Sequence, residues 1–172
     1  MILVPVGEFP AQLLAELSRR SGLASGPGID APQSAYHARR NQYDSTQLLC
    51  RLKQFQPGAV MGVTQLDLFI PVLRYVFGEA EMGGRAAIFS VCRLREEFYG
   101  LPPNPALLIE RAMRELWHET GHLLGLAHCR DPLCVMSSSH AVEQVDTKNG
   151  SLCRDCQCRA NVLSEERGIA LP

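Results

Sequence analysis

The eleven-residue run His118-Glu119-Thr120-Gly121-His122-Leu123-Leu124-Gly125-Leu126-Ala127-His128 constrains this chain more than any other feature. It asks for a helix, an abrupt exit from it, and a return of the chain toward the helix's last turn. His118 and His122 are four residues apart, and on a helix that spacing stacks two rings on one face. One nitrogen from each can then reach a shared ion at about 2.0–2.1 Å. Glu119 falls to the side of that face, where it can take a proton from water on the ion without being a ligand itself. Gly125 follows the last turn, where a left-handed conformation releases the chain. His128 then returns as a third ligand. Three imidazoles leave the fourth position of a tetrahedral zinc open to water, as catalytic rather than structural zinc requires.

The flanking sequence predicts one long helix around the first two histidines. Asn104 is a good N-cap and Pro105 a good first helical residue. From there to Leu124 only Gly121 weakens the helix. At about 100° per residue, Ile109, Ala112, Met113, Leu116, Trp117, Thr120, Leu123 and Leu124 share one face. Arg111, Arg114, Glu115, His118, Glu119 and His122 share the other. The histidines therefore lie on the polar side, facing a cleft. Glu115 fits two roles: partner to a ligating histidine, or solvated helix carboxylate.

The cysteines follow. Cys129 and Cys134 form one close pair, and Cys153, Cys156 and Cys158 stand in a C-x-x-C-x-C run. Two such pairs across a loop fit a four-cysteine zinc site, and they also admit two disulfides. Met1 to Val6 lacks the basic stretch of an export signal and meets proline and glycine at once. That points to the cytoplasm, where reduction disfavours disulfides. Arg130, Arg154 and Arg159 sit beside these thiols and would offset the charge of a tetrathiolate zinc. Cys156 and Cys158 compete for the fourth position. Cys50 sits in an apolar-periodic stretch and Cys92 ends an apolar run, so both read as buried structural thiols. Met136, two residues past Cys134, can pass beneath a metal as an apolar floor, although such methionines are more often core filler.

The string H-E-x-x-H-x-x-G-x-x-H-C-x4-C-x-M followed by C-x-x-C resembles that of the archaemetzincins, a branch of the metzincin zinc peptidases. Weaker similarities run upstream, through Val4-Pro5-Val6-Gly7, Arg40-Asn41-Gln42-Tyr43, Gly62-Val63-Thr64 and Tyr75-Val76-Phe77-Gly78. The resemblance implies that His118, His122 and His128 bind a catalytic zinc, that Glu119 is the general base, and that Met136 is the methionine of the Met-turn. It also implies a second, structural zinc on Cys129, Cys134, Cys153 and Cys156. Sixteen residues separate Met136 from Cys153, one fewer than in the family pattern. Thr120 stands where many relatives have leucine. Some metzincins add a tyrosine soon after the Met-turn; none follows Met136, so no such helper is expected.

Composition sets the outer limits. With 172 residues, 46% hydrophobic and 20% charged, the chain is long enough for one domain with its own core. A net charge of −1 offers no basic footprint for nucleic acid. No apolar run approaches the roughly 18 residues of a membrane span. The expected partner is therefore a peptide or protein, not nucleic acid or membrane. Strand candidates at Ile2–Val6, Ile29–Tyr36, Ala59–Thr64, Leu73–Phe77 and Ala86–Val91 alternate with helices at Phe9–Arg20 and from Asp44–Thr46 through Phe55. This alternation predicts an α/β fold with a mixed, mostly parallel twisted sheet and flanking helices. By resemblance to metzincins, whose fold is of the α+β kind, Leu73–Phe77 would be an antiparallel edge strand above the cleft, able to pair with an extended peptide. We expect one catalytic domain over residues 1–172. Residues 1–125 would form an N-terminal subdomain carrying the active-site helix, and residues 126–172 a small lobe ordered by zinc.

The function expected is hydrolysis of peptide bonds by a zinc metallopeptidase, an amino- or endopeptidase, carrying two zinc ions. Two alternatives stand beside it. Zinc hydrolases that mature ribosomal RNA space three histidines alike but lack the glutamate and the cysteine lobe. A catalytically silent zinc-stabilised binding module would have no need of Glu119.

Overall fold

The computed structural model describes residues 1–55 and 58–167. In chain order the elements are β1 (Ile2–Val6), α1 (Ala11–Ser21), β2 (Ala24–Ser25), β3 (Tyr36–His37), β4 (Gln42–Asp44), α2 (Ser45–Phe55), β5 (Val60–Thr64), β6 (Leu68–Phe69), β7 (Gly78–Ala80), β8 (Ala86–Ser90), α3 (Pro105–Leu124), α4 (Val142–Thr147) and α5 (Arg154–Arg167), with short 3-10 turns between some of them. The main sheet runs β2-β1-β5-β8-β7. Its strands are parallel except β7, which pairs antiparallel with β8 at the edge. A smaller sheet, β3-β4-β6, lies apart from it.

Adjacent residues of β1 explain the layering. Side chains of a strand alternate between faces. Leu3 joins a core with Leu17, Phe89 and Leu116, and Val4 joins another with Leu48, Leu52 and Ile88. Helices α1 and α3 thus cover one face and α2 covers the other. Strands buried on both faces read as continuous apolar runs, as β5 and β8 do. Each leucine or phenylalanine fully buried here contributes about 1.5–3 kcal/mol.

Helix α3 starts and stops where its sequence directs. Asn104 Oδ1 accepts the Leu107 N–H at 3.1 Å, with Pro105 opening the helix. Gly125 has φ 100°, and its N–H caps the carbonyls of Gly121 and His122. The polar face of α3 is not solvated, however. Arg111, Glu115, His118, Glu119 and His122 are all buried, because residues 129–148 fold back over that face. This return is held by a third core of Leu124, Leu126, Cys134, Val135, Met136, Cys156 and Ala160. The last five residues of the lobe expected at 126–172 fall outside the described residues.

Three other expectations need correction. The antiparallel edge is Gly78–Ala80, while Leu73–Phe77 is an irregular approach to it, bridged to β6 only through Val76 and Leu68. The Ile29–Tyr36 region holds a 3-10 turn and a two-residue strand, with Ile29 making a single bridge to Val6. Cys50 lies on the exposed side of α2, not in the core; the core face of that helix belongs to Leu48, Leu49 and Leu52. None of the described helices is long and apolar enough to cross a membrane.

Candidate metal centre and active site

Helix α3 brings His118 and His122 to one face with ring centroids 4.6 Å apart. The turn at Gly125 returns His128 beside them. His122 Nε2 lies 3.1 Å from His118 Nε2 and 3.2 Å from His128 Nε2. The outer nitrogens fix the rings. His118 Nδ1 donates to the Val135 carbonyl and His122 Nδ1 to the Leu126 carbonyl, each at 2.8 Å. With those nitrogens protonated, the inner Nε2 atoms present lone pairs to one another. Lone pairs this close repel, and a cation between them satisfies both. The donor set therefore fits a metal, and the backbone carbonyls supply the outer hydrogen bonds that orient ligating imidazoles. Burial, with the Lys148 ammonium next, holds His118 well below its ordinary pKa and so in the neutral form that ligates.

Glu119 is 3% exposed. Among the described residues its Oε2 is buried without a hydrogen-bond partner, and its Oε1 lies against Gly78 of the edge strand, where a Cβ would overlap it. Burial first, then the neighbouring Glu115, pushes its carboxyl well above the usual carboxylate range. An upward shift of this kind favours a carboxyl that takes up a proton over one that stays ionised. Glu115 takes neither role open to it in the sequence. Among the described residues it bonds no imidazole, and it is buried rather than solvated; it faces Lys148 Nζ at 3.5 Å.

Met136 is fully buried against the last turns of α3. Its sulfur fills the space a side chain at position 121 would take, which accounts for a glycine inside the helix. The sulfur atoms of Cys129, Cys134, Cys153 and Cys156 lie within 4.8 Å of one another. Cys129 Sγ and Cys153 Sγ are 3.7 Å apart, far beyond a disulfide's length of about 2.0 Å. The distance suits two corners of a tetrahedron with Zn–S bonds of about 2.3 Å. Backbone N–H groups of Asp131 and Cys153 point at Cys129 Sγ and Cys134 Sγ, at 3.4 and 3.3 Å. Cys158 is exposed and stands outside the cluster.

A cleft of about 320 Å³ runs between the Leu73–Gly78 segment and residues 138–140, with His118, Glu119 and His128 in its wall. Tyr75 Oη donates to the His140 carbonyl at 2.5 Å, tying the two sides together. Sequence reasoning missed Lys148 and Ser139 as cleft residues. Neither belongs to a spaced motif, and a lysine in a polar stretch ordinarily signals solvent.

Residues 26–161 match the model of peptidase family M54. The archaemetzincin of Methanocaldococcus jannaschii is 43% identical over 170 residues, spanning 96% of this chain and 92% of its own. That of Pyrococcus furiosus is 39% identical over 171 residues, spanning 91% of this chain and 89% of its own. The crystal structure of the Methanopyrus kandleri archaemetzincin superposes with a TM-score of 0.82 at 34% identity, over 98% of this chain and 96% of that one. A match of this length, carried by the same fold, places the chain in peptidase family M54, the family of the archaemetzincins.

Proposed function

We propose that the protein is a zinc metallopeptidase whose hydrolytic centre is formed by His118, His122, His128 and Glu119. The observation that carries this reading is a buried carboxylate with an unpartnered oxygen beside three converging imidazole nitrogens, in the wall of a cleft bordered by a strand edge. Zinc held by the three histidines would supply positive charge that acidifies water toward a pKa of about 7 and polarises the scissile carbonyl. Glu119 accepts the proton of the attacking water and passes it to the leaving amine. The burial of Glu119 keeps that proton from bulk solvent. The outer edge of β7, the last strand of the main sheet, offers main-chain groups to an extended peptide. A second zinc on Cys129, Cys134, Cys153 and Cys156 orders the lobe that carries Met136 and covers the histidines. On this reading residues 1–172 act as one catalytic domain of two subdomains, meeting at about residue 125, in a reducing, cytoplasmic setting that keeps the thiols free. RNA hydrolysis finds no support in the net charge of −1, and a silent binding module leaves the placement of Glu119 without a purpose.

The test is Glu119→Gln. It should retain about two zinc per chain and lose roughly 10²- to 10⁴-fold in peptide cleavage. Full turnover by the variant would remove the general-base role. Cleavage of RNA but not peptide by the native protein, abolished by a chelator, would replace the peptidase reading altogether.

A further inference from the structure

The cleft holds polar groups that the hydrolytic step does not use. Lys148 is 2% exposed, although lysines are almost never buried unless paired. Among the described residues its ammonium meets one acceptor, Glu115 Oε1 at 3.5 Å, the outer limit of a hydrogen bond. An ammonium carries three donors, so most of its capacity is unspent. In the same cleft, Ser139 Oγ is buried with no hydrogen-bond partner among the described residues. Both residues line the same cavity as His118 and Glu119. Burial also pushes the Glu115 carboxyl up, against the opposing pull of Lys148.

We propose that this recess receives a substrate carboxylate, held by the Lys148 ammonium and the Ser139 hydroxyl, so that cleavage favours peptides bearing a carboxylate beside the scissile bond. A carboxylate has one charge and two acceptor oxygens, which match one ammonium and one hydroxyl donor. It has two sources in a peptide: an acidic side chain, or the free α-carboxylate of a terminal residue. The inference rests on the peptidase reading for the nature of its ligand. The unspent donors themselves do not depend on turnover.

The experiment uses the zinc-loaded Glu119→Gln protein, in which peptides bind without being consumed. Matched peptides differ only in Glu against Gln on either side of the intended scissile bond, or in a free against an amidated C-terminus. Calorimetry should show at least tenfold tighter binding of the carboxylate member in one of these pairs, and which pair identifies the source. Adding Lys148→Met should bring that ratio near one while leaving the affinity for the neutral peptide unchanged. Adding Ser139→Ala should reduce it about three- to tenfold. If Lys148→Met does not fold, Glu115→Gln with Lys148→Met replaces both buried charges together and must abolish the ratio in the same way. Equal binding within every pair, or a preference that survives loss of Lys148, overturns the proposal. Absence of cleavage by the native protein would sink the hydrolytic reading instead, and a Lys148-dependent preference for the carboxylate would still uphold this one.

Discussion

Two glycines show how far single positions govern this site. Gly121 lies inside α3, where glycine costs about 1 kcal/mol relative to alanine. An alanine there would meet the sulfur of Met136. Gly121→Ala should therefore destabilise the fold by about 1–3 kcal/mol through overpacking, rather than stabilise it; denaturant unfolding decides, and a gain in stability would refute the account. Gly78 is different, because its neighbour is the carboxylate of Glu119. Gly78→Ala would push that group from its place, and a misplacement of about 1 Å costs on the order of 10²-fold in rate. We expect such a fall in kcat with the zinc content unchanged, measured by peptide turnover beside metal analysis. The spaced motif marks Glu119 as the carboxylate of interest, but nothing in it reveals that a strand more than thirty residues upstream sets its position.

Among the elements, α3 was the most legible and the edge strand the least. The cap, the stop and the histidine spacing of α3 are local, so they can be read within a few residues. Asn104→Ala should cost about 1 kcal/mol of stability and leave kcat alone, since the cap lies at the far end of the helix from the histidines. The buried polar face of α3 could not be read in the same way. Arg111 looks like a solvated arginine, yet it is 4% exposed. It pairs with both carboxylate oxygens of Asp146 at 2.8 and 2.6 Å, and with Glu96 at 2.6 Å. It thereby ties α3 to α4. Arg111→Met should cost about 2–3 kcal/mol in thermal unfolding, below the full penalty for a broken buried pair, because Asp146 keeps some contact with water. The edge misled for a related reason. Tyr75-Val76-Phe77 has high strand propensity, but pairing with β8 falls to Gly78, Glu79 and Ala80. Register against a neighbour overrides propensity at a sheet edge.

At the scale of the whole molecule, a mostly parallel sheet carries the helix that presents His118, Glu119 and His122, and a small lobe closes over them. The lobe core is modest, so its order should depend on metal. Cys129→Ser with Cys153→Ser should remove about one zinc per chain and raise amide exchange across residues 129–165, while β1, β5 and β8 stay protected. Uniform loss of protection would mean that the chain unfolds as one unit. The ordering of determinants follows from distance along the chain. Sequence alone determined which residues can converge where helical turns and short returns do the work: His118, Glu119, His122 and His128, together with two close cysteine pairs. Only the tertiary structure decided that Cys156 rather than Cys158 joins the thiol cluster, that Lys148 and Glu115 are buried together, and that Gly78 abuts Glu119. Those outcomes depend on which faces pack after the chain has folded back over α3, and no local rule encodes that choice.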